Sequence, residues 1–424
     1  MLIFSISYSN GRVVQRVLAL AWIVASSLWC AGCVRLSGNS WYEGPPPRPD
    51  SMEAYYAPEK SYAGFREEIE KSTKHYTLKH ITIDSYAGPI VIDYFQRQEK
   101  SNSLVLVFPV LGGKNFIEKH IARYLAESGF DAAIVNRSNE FKDPEKFEQL
   151  EEIFRLNIIR DRLALDFFEA EYGKTQFGSF GISRGAINVA LTAGVDARLQ
   201  YNVLAMGGTD LVHLFRDSHQ ARIAKYIQAV SEGRGYSRDQ FFQELGKQLR
   251  TDPKFTAQYL DSRKTLLILG IFDRTVPFSY GLKLREQIGR PETIFLFADH
   301  YVSLAYTQTV SILPPSKEKT GIFPFPYIEQ EAVSFYARSF DGDWNWKVLP
   351  FKIFQFPFNV VAETLADVGS LFEWIGGEDE SFKNDSAEQD GHWRIEEAPQ
   401  HPPSDVVALN EVTRASVASS GRGR

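Results

Sequence analysis

Ser183 lies in a G-x-S-x-G pattern that runs from Gly181 to Gly185. The apolar run over 175–182 predicts a buried strand, and the spacing over 184–194 predicts a helix. Glycines leave room for a sharp turn between them, because they carry no Cβ. Such a turn projects the Ser183 hydroxyl above the sheet, at the positive end of the helix, where a developing negative charge is stabilised. The pattern predicts a serine nucleophile; the alternative is a small residue or an N-cap at a tight helix start.

A serine hydroxyl needs a base, and the base needs an orienting acid. Asp273 follows the predicted strand 264–271, and His300 follows the predicted strand 292–298. Both residues therefore come at carboxyl ends of strands, the edge at which open α/β sheets bind their ligands. We predict that His300 is the base and Asp273 its orienting carboxylate.

Two other acids are candidates for the role of Asp273, which could instead cap a turn. Asp299 is next to His300 in the chain, so the two side chains would point to opposite faces of an extended segment. Asp261 precedes its strand and would lie at the wrong end of the sheet. We therefore favour Asp273.

The elements around these residues alternate between strands and helices, which predicts a doubly wound, mostly parallel α/β sheet. An antiparallel pair of strands is expected to come first, over 75–84 and 88–96. The insert 209–262 has helical spacing, and we predict a helical cap over the carboxyl edge. The remaining expected strands and helices are 103–109, 116–128, 130–135, 147–172, 201–206 and 278–288.

The chain resembles an α/β-hydrolase over about residues 75–312. The resemblance rests on the order Ser183, Asp273, His300 and on the loop from Gly270 to Pro277, which has the Gly-x-x-Asp-x-x-Val-Pro pattern. It implies the α/β-hydrolase fold, with Ser183 as nucleophile, His300 as general base and acid, and Asp273 as orienting carboxylate. A cofactor is not expected.

The oxyanion hole of this family takes one backbone N–H from the residue after the nucleophile, here Arg184, and one from an early loop. Where the family commonly has His-Gly, this chain has Pro109-Val110. The resemblance places the second donor at Leu111, with Val110 as the alternative. The Arg184 side chain is expected to pack at the turn; contact with an anionic substrate group is the alternative.

The N-terminal segment has the order of a secretory signal peptide: basic residues, an apolar stretch over 17–29, and small residues before Cys33. Its end resembles the lipobox of bacterial lipoproteins, which implies lipidation of Cys33, although Cys30 replaces the usual aliphatic residue. An ordinary cleaved signal and an uncleaved anchor are the alternatives. Because Val34 is not acidic, the resemblance favours an outer-membrane lipoprotein of the cell envelope, facing the periplasm.

The chain has 424 residues, a formal net charge of −6 and two cysteines. The acidic balance argues against nucleic-acid binding, and the mean hydropathy of −0.25 against a polytopic membrane protein. We predict a signal peptide over 1–33, an extended linker over 34–60, a hydrolase domain over 61–376 and a disordered tail over 377–424.

Together these features predict a membrane-anchored serine hydrolase that cleaves a small-molecule or lipid ester through an acyl-enzyme. The alternatives are a non-catalytic envelope lipoprotein that uses the fold as a binding module, and a peptidase or thioesterase of the same fold.

Overall fold

The computed structural model describes residues 42–110, 116–137, 139–307 and 326–343, and all of 345–364 except 351, 354 and 358. Four sequence predictions lie outside these residues: the signal peptide with Cys33, the start of the linker, the Leu111 donor and the C-terminal tail.

The described residues form a nine-stranded sheet with helices on both faces. The strands are β1 (Gly64–Ser72), β2 (Tyr76–Asp84), β3 (Ile90–Arg97), β4 (Ser103–Phe108), β5 (Ala132–Val135), β6 (Gln176–Ile182), β7 (Leu199–Ala205), β8 (Thr265–Gly270) and β9 (Glu292–Leu296). The helices are α1 (Asp50–Tyr56), α2 (Phe116–Glu127), α3 (Leu150–Tyr172), α4 (Arg184–Val195), α5 (Leu211–Asp217), α6 (Ala221–Arg234), α7 (Arg238–Gln248), α8 (Pro253–Thr256), α9 (Phe278–Ile288) and α10 (Tyr327–Tyr336).

The strand order is β1-β2-β3-β5-β4-β6-β7-β8-β9. The three pairings from β1 through β3 to β5 are antiparallel, and the five from β5 to β9 are parallel. This arrangement confirms the predicted fold class, a mostly parallel sheet of the α/β-hydrolase type. The edge strand β1 was not predicted, because most of its side chains are exposed and charged, so it lacks an apolar face.

The apolar runs of the central strands divide between two hydrophobic layers, as their alternating side chains require. In β4, Leu104, Leu106 and Phe108 pack on one face, while Val105 and Val107 pack on the other. Because both faces are covered, the carboxyl ends of the strands are where a site can open.

Residues 42–60 correct the prediction of an extended linker, because this part of the segment packs on the domain. Met52 and Tyr56 of α1 are fully buried. The Arg48 guanidinium donates to the carbonyls of Ala193 and Gly194 at 2.9 and 2.7 Å, where the final carbonyls of α4 need partners. The proline-rich composition predicted a flexible chain, but these long-range contacts fix it.

Helices α5 to α8 occupy the predicted cap insert between β7 and β8. Their apolar residues form a third cluster with side chains of α3 and α4. The segment between α5 and α6 contacts the loop after β8: Ser218 Oγ donates to the Thr275 carbonyl at 2.5 Å, and the His219 N–H donates to the Arg274 carbonyl at 2.9 Å. The insert therefore reaches the carboxyl edge. Among the described helices, none has the length and apolarity needed to cross a bilayer.

Candidate active site

Ser183 lies in the turn between β6 and α4, with φ of 57° and ψ of −123°. Positive φ strains a residue with a side chain and persists where the surrounding structure fixes it. Here the Ser183 N–H donates to the Ala205 carbonyl of β7 at 2.8 Å. The strained turn holds the hydroxyl at the carboxyl edge of the sheet.

The two glycines of the motif are required by close approach of backbone. A Cβ on Gly181 would come within 2.2 Å of the Gly185 carbonyl carbon, and a Cβ on Gly185 within 2.4 Å of the Phe108 carbonyl oxygen. A backbone neighbour cannot move away from such a contact at low cost, so neither position accepts a side chain. The structure confirms the steric reason for the glycines.

The structure brings Ser183, His300 and Asp273 into one hydrogen-bonded chain. Ser183 Oγ lies 2.9 Å from His300 Nε2, and His300 Nδ1 lies 2.6 Å from Asp273 Oδ2. The tautomer with its proton on Nδ1 donates to Asp273 and accepts from the serine hydroxyl. His300 is 8% exposed and Asp273 5% exposed, so the pair is largely removed from water.

The remaining oxygen of Asp273 is also bonded, which fixes the orientation of the carboxylate. Asp273 Oδ1 accepts from the backbone N–H groups of Thr275 and Val276 at 2.8 and 2.9 Å. One oxygen therefore locks the turn while the other faces the imidazole.

The two competing acids have other positions. Asp299 Oδ1 accepts from the N–H groups of Tyr301 and Val302 at 2.9 and 2.8 Å, which caps the short helix after His300. Asp261 precedes β8 at the opposite edge and accepts from the Arg263 N–H at 3.0 Å. Of the three acids, Asp273 is the one within hydrogen-bonding distance of His300.

The N–H of Arg184 belongs to the first turn of α4, where amide groups have no intrahelical acceptor. Within the described structure no acceptor is bonded to it. The alternative donor, the Val110 N–H, is engaged: it donates to Glu118 Oε1 at 2.5 Å. Of the two predicted second donors, Val110 is therefore occupied, and Leu111 lies outside the described residues.

Glu118 is a residue that the sequence reasoning missed. It is 2% exposed on α2, its second oxygen has no partner among the described residues, and burial raises the pKa of its carboxyl group. The sequence does indicate that Glu118 is buried, because it lies on the apolar stripe of its helix with Ile121 and Leu125, three and seven residues later.

The Arg184 side chain leaves the turn toward the cap, and its guanidinium carbon lies 3.7 Å from the centre of the Phe141 ring. The residue is half-buried. Removal from water, together with the nearby charge of Arg137, lowers the pKa of Arg184 to about 9, so the group stays cationic at neutral pH. The prediction that this side chain packs at the turn agrees with the ring contact.

His120 of α2 is buried, at 4% exposed, and its Nε2 lies 3.0 Å from Glu329 Oε1. Within the described part of the chain, no group of three histidine, cysteine or acidic side chains could hold a metal ion.

Two cavities of the described residues lie away from the triad. The larger, about 480 Å³, is bordered by Phe130, just before β5, and by Val333 of α10. The smaller, about 380 Å³, lies in the cap beside Phe215 and Ile227. Neither is lined by Ser183, Asp273 or His300.

No protein-family model and no curated protein matches the chain. Acetyl xylan esterase 1 from a Thermoanaerobacterium species is 14% identical over 62% of this chain and 94% of its own, with a TM-score of 0.45. Acetyl xylan esterase from a Paenibacillus species is 16% identical over 62% of this chain and 92% of its own, with a TM-score of 0.46. A 2,6-dihydroxy-pseudo-oxynicotine hydrolase is 13% identical over 63% and 70%, with a TM-score of 0.47.

Proposed function

We propose that this protein is a serine hydrolase that cleaves a carboxylic ester through an acyl-enzyme. One observation carries the proposal: the chain of contacts from Ser183 Oγ to His300 Nε2 and from His300 Nδ1 to Asp273, at 2.9 and 2.6 Å, on a strained turn. These are the distances at which an imidazole can take a proton from a hydroxyl while a carboxylate holds its orientation.

In the first half-reaction the Ser183 oxygen attacks the ester carbonyl, and its proton passes to His300 Nε2. The imidazolium that forms is stabilised by the Asp273 carboxylate, whose orientation is fixed by the two backbone N–H groups that donate to it. The tetrahedral intermediate then collapses, the ester C–O bond breaks, and His300 returns the proton to the leaving alcohol. An acyl group remains on Ser183.

In the second half-reaction a water molecule takes the place of the alcohol. His300 accepts its proton, the hydroxide attacks the acyl carbon, and Ser183 leaves with the proton returned by His300. Both tetrahedral intermediates carry a negative oxygen, for which we propose the N–H groups of Arg184 and Leu111 as donors. The engagement of the Val110 N–H by Glu118 supports Leu111 as the second donor.

The test is active-site labelling of the purified full chain with a fluorophosphonate, followed by turnover of 4-nitrophenyl butyrate. We expect labelling that Ser183→Ala abolishes, and turnover that falls at least 10³-fold in His300→Ala. Asp299→Asn is the matched control, because this acid is adjacent to His300 in the chain but does not contact its imidazole.

Three results would contradict the proposal or narrow it. Labelling that persists in Ser183→Ala would exclude Ser183 as the nucleophile. If the wild type reacts with the probe but the unlabelled protein turns over none of the esters, thioesters and peptides tried, a non-catalytic module would be favoured. If thioesters or peptides are cleaved faster than esters, the proposed substrate changes to a thioester or a peptide and the proposed mechanism stays the same.

We also propose that the protein is a periplasm-facing lipoprotein of the outer membrane, anchored through Cys33. This proposal rests on the N-terminal sequence, in which basic residues, an apolar stretch and Ala31-Gly32-Cys33 follow one another.

A further inference from the structure

Arg184 is a partly buried cation beside the nucleophile without a matching negative charge. Its guanidinium stacks on Phe141, and no carboxylate of the described chain forms an ion pair with it. Three other arginines of the domain do have carboxylate partners. Arg137 pairs with Asp161, Arg162 with Asp196 and Arg198 with Asp166.

Two more cations lie near Arg184. Lys142 follows Phe141 in the chain, and its ammonium group lies 5.5 Å from the centre of the same ring. After the effect of burial, the charges of Arg184 and Arg222 lower the pKa of Lys142, so each of the two arginines lies within electrostatic range of Lys142. Neither Lys142 nor Arg222 has a carboxylate partner among the described side chains.

The position of Arg222 connects this cluster to the catalytic edge. Arg222 lies in the first turn of α6, directly after the cap segment that contacts the loop of Asp273. In the same segment, Gln220 Nε2 donates to the Tyr301 hydroxyl at 3.1 Å, and Tyr301 follows His300. Arg222 therefore borders the carboxyl edge from the cap side, while Arg184 borders it from the side of Ser183.

We propose that Arg184, with Lys142 and Arg222, forms a subsite for an anionic group of the substrate, a carboxylate or a phosphate near the scissile ester. This inference rests on the proposed function and names its substrate class. An unpaired cation in a half-buried site is costly to the fold, and an incoming anion supplies the missing partner. The planar guanidinium suits both groups, since it can donate two parallel hydrogen bonds to either.

Contact with Phe141 makes the subsite preorganised. Stacking on an aromatic ring holds the guanidinium in one plane, so less side-chain freedom is lost when an anion binds. Ser183 and Arg184 are consecutive residues, so we place the bound anion near the ester that Ser183 attacks. The matching substrate is a short ester whose acid or alcohol part carries the negative charge.

The test compares kcat/KM of the full-length protein for pairs of esters that differ in one negative charge. 4-Nitrophenyl hemisuccinate and 4-nitrophenyl butyrate have acyl chains of equal length and differ in a terminal carboxylate. 4-(Butyryloxy)benzoate and 4-(butyryloxy)phenyl phosphate place the charge on the alcohol side and separate carboxylate from phosphate, and phenyl butyrate is their neutral partner. We expect kcat/KM for at least one anionic ester to exceed that of its neutral partner about tenfold or more.

The variants assign that preference to the cluster. Arg184→Met should reduce the ratio of anionic to neutral kcat/KM about tenfold, and Arg184→Lys should keep a part of it. Using the ratio cancels any effect of the substitution on the turn itself. Arg66→Met, which removes one charge from the exposed strand β1, is the control and should leave the ratio unchanged. Added salt should lower the ratio, because ions screen the attraction.

The outcomes separate this inference from the proposed function. Fluorophosphonate labelling of Ser183 with turnover of 4-nitrophenyl butyrate, but equal or lower kcat/KM for every anionic ester, would overturn the anion subsite and leave the hydrolase intact. A preference that Arg184→Met does not reduce would also overturn it. Absence of labelling and turnover would overturn both.

Discussion

The residues of the proposed site are held in place by groups to which we assign no part in proton transfer. Asp273 uses one oxygen to hold its own turn, and Glu118 accepts from the last described amide before the predicted Leu111 donor. Glu118 is buried with one oxygen unpartnered among the described residues, a costly arrangement in a helix whose other buried side chains are mostly apolar. We therefore infer that Glu118 is a positioning residue for the loop after β4, in which we place the second oxyanion donor.

Substitution of Glu118 should affect turnover more than binding. Glu118→Gln keeps the acceptor oxygen and should retain kcat within about threefold, whereas Glu118→Ala frees the Val110 N–H and should lower kcat about 10- to 100-fold with little change in KM. Steady-state kinetics with 4-nitrophenyl butyrate measure both constants. Glu127→Ala, on the exposed end of the same helix, is the control. An equal loss in Glu118→Gln and Glu118→Ala would argue against positioning through the acceptor.

At the scale of elements, a buried carboxylate ties the beginning of the cap to its end. Asp252 accepts from the backbone N–H groups of Asp210 and Leu211, where α5 begins, and of Lys254, where α8 begins. The distances are 3.1, 2.7 and 2.9 Å, and the side chain is fully buried. Both ends of the cap are thus tied together through one residue.

Burial raises the pKa of Asp252 to about 6, against the effect of Lys254 and with that of Asp210. The folded state therefore binds a proton more tightly than the unfolded chain, and ionisation of Asp252 reduces stability as the pH rises from about 4 through 6. A shift of about two pKa units corresponds to at most about 3 kcal/mol.

The free energy of unfolding of the wild type, relative to Asp252→Asn, should fall by about 1–3 kcal/mol between pH 4 and pH 7. Asparagine cannot ionise, so the variant lacks this component of the pH dependence. Urea denaturation at several pH values measures the difference. Parallel pH profiles would show that Asp252 does not titrate in this range, and Asp239→Asn, at the exposed start of α7, controls for general charge effects.

At the scale of the whole molecule, the packing of residues 42–60 shortens the predicted tether. Tyr42 contacts the domain through its hydroxyl, which donates to the Leu260 carbonyl at 3.1 Å, just before β8 begins. The triad lies at the other end of the strands. If Cys33 is lipidated, the eight residues between it and Tyr42 give a reach of at most about 30 Å. With Tyr42 held near the start of β8, we propose that the opposite edge of the sheet, which carries Ser183, faces away from the bilayer.

Replacement of the proposed lipidation site should change where the protein is found but not what it does. Cys33→Ser should move the protein from the membrane to the soluble fraction and abolish incorporation of labelled palmitate, while kcat/KM for soluble esters stays within about twofold. Cys30→Ser is the matched control and should remain in the membrane fraction. Palmitate incorporation into Cys33→Ser would place the anchor elsewhere.

The sequence by itself predicted the fold class, the sharp turn at Ser183 and the side chains that meet Ser183 at the edge of the sheet. It could do so because the signs are local: a G-x-S-x-G turn reflects a steric requirement, and residues at the carboxyl ends of parallel strands meet at one edge. Asp273 was distinguishable from Asp299 and Asp261 by the same reasoning, from its position relative to one strand.

The tertiary structure alone decided which groups have partners. The engagement of Val110 by Glu118, the lack of a described carboxylate for Arg184 and the packing of Arg48 on α4 depend on contacts between distant or differently oriented residues. Residue type does not reveal whether a buried charge is paired, because pairing is set by the geometry of the folded chain. For the same reason the edge strand β1 formed without an apolar pattern, since its order comes from backbone pairing with β2.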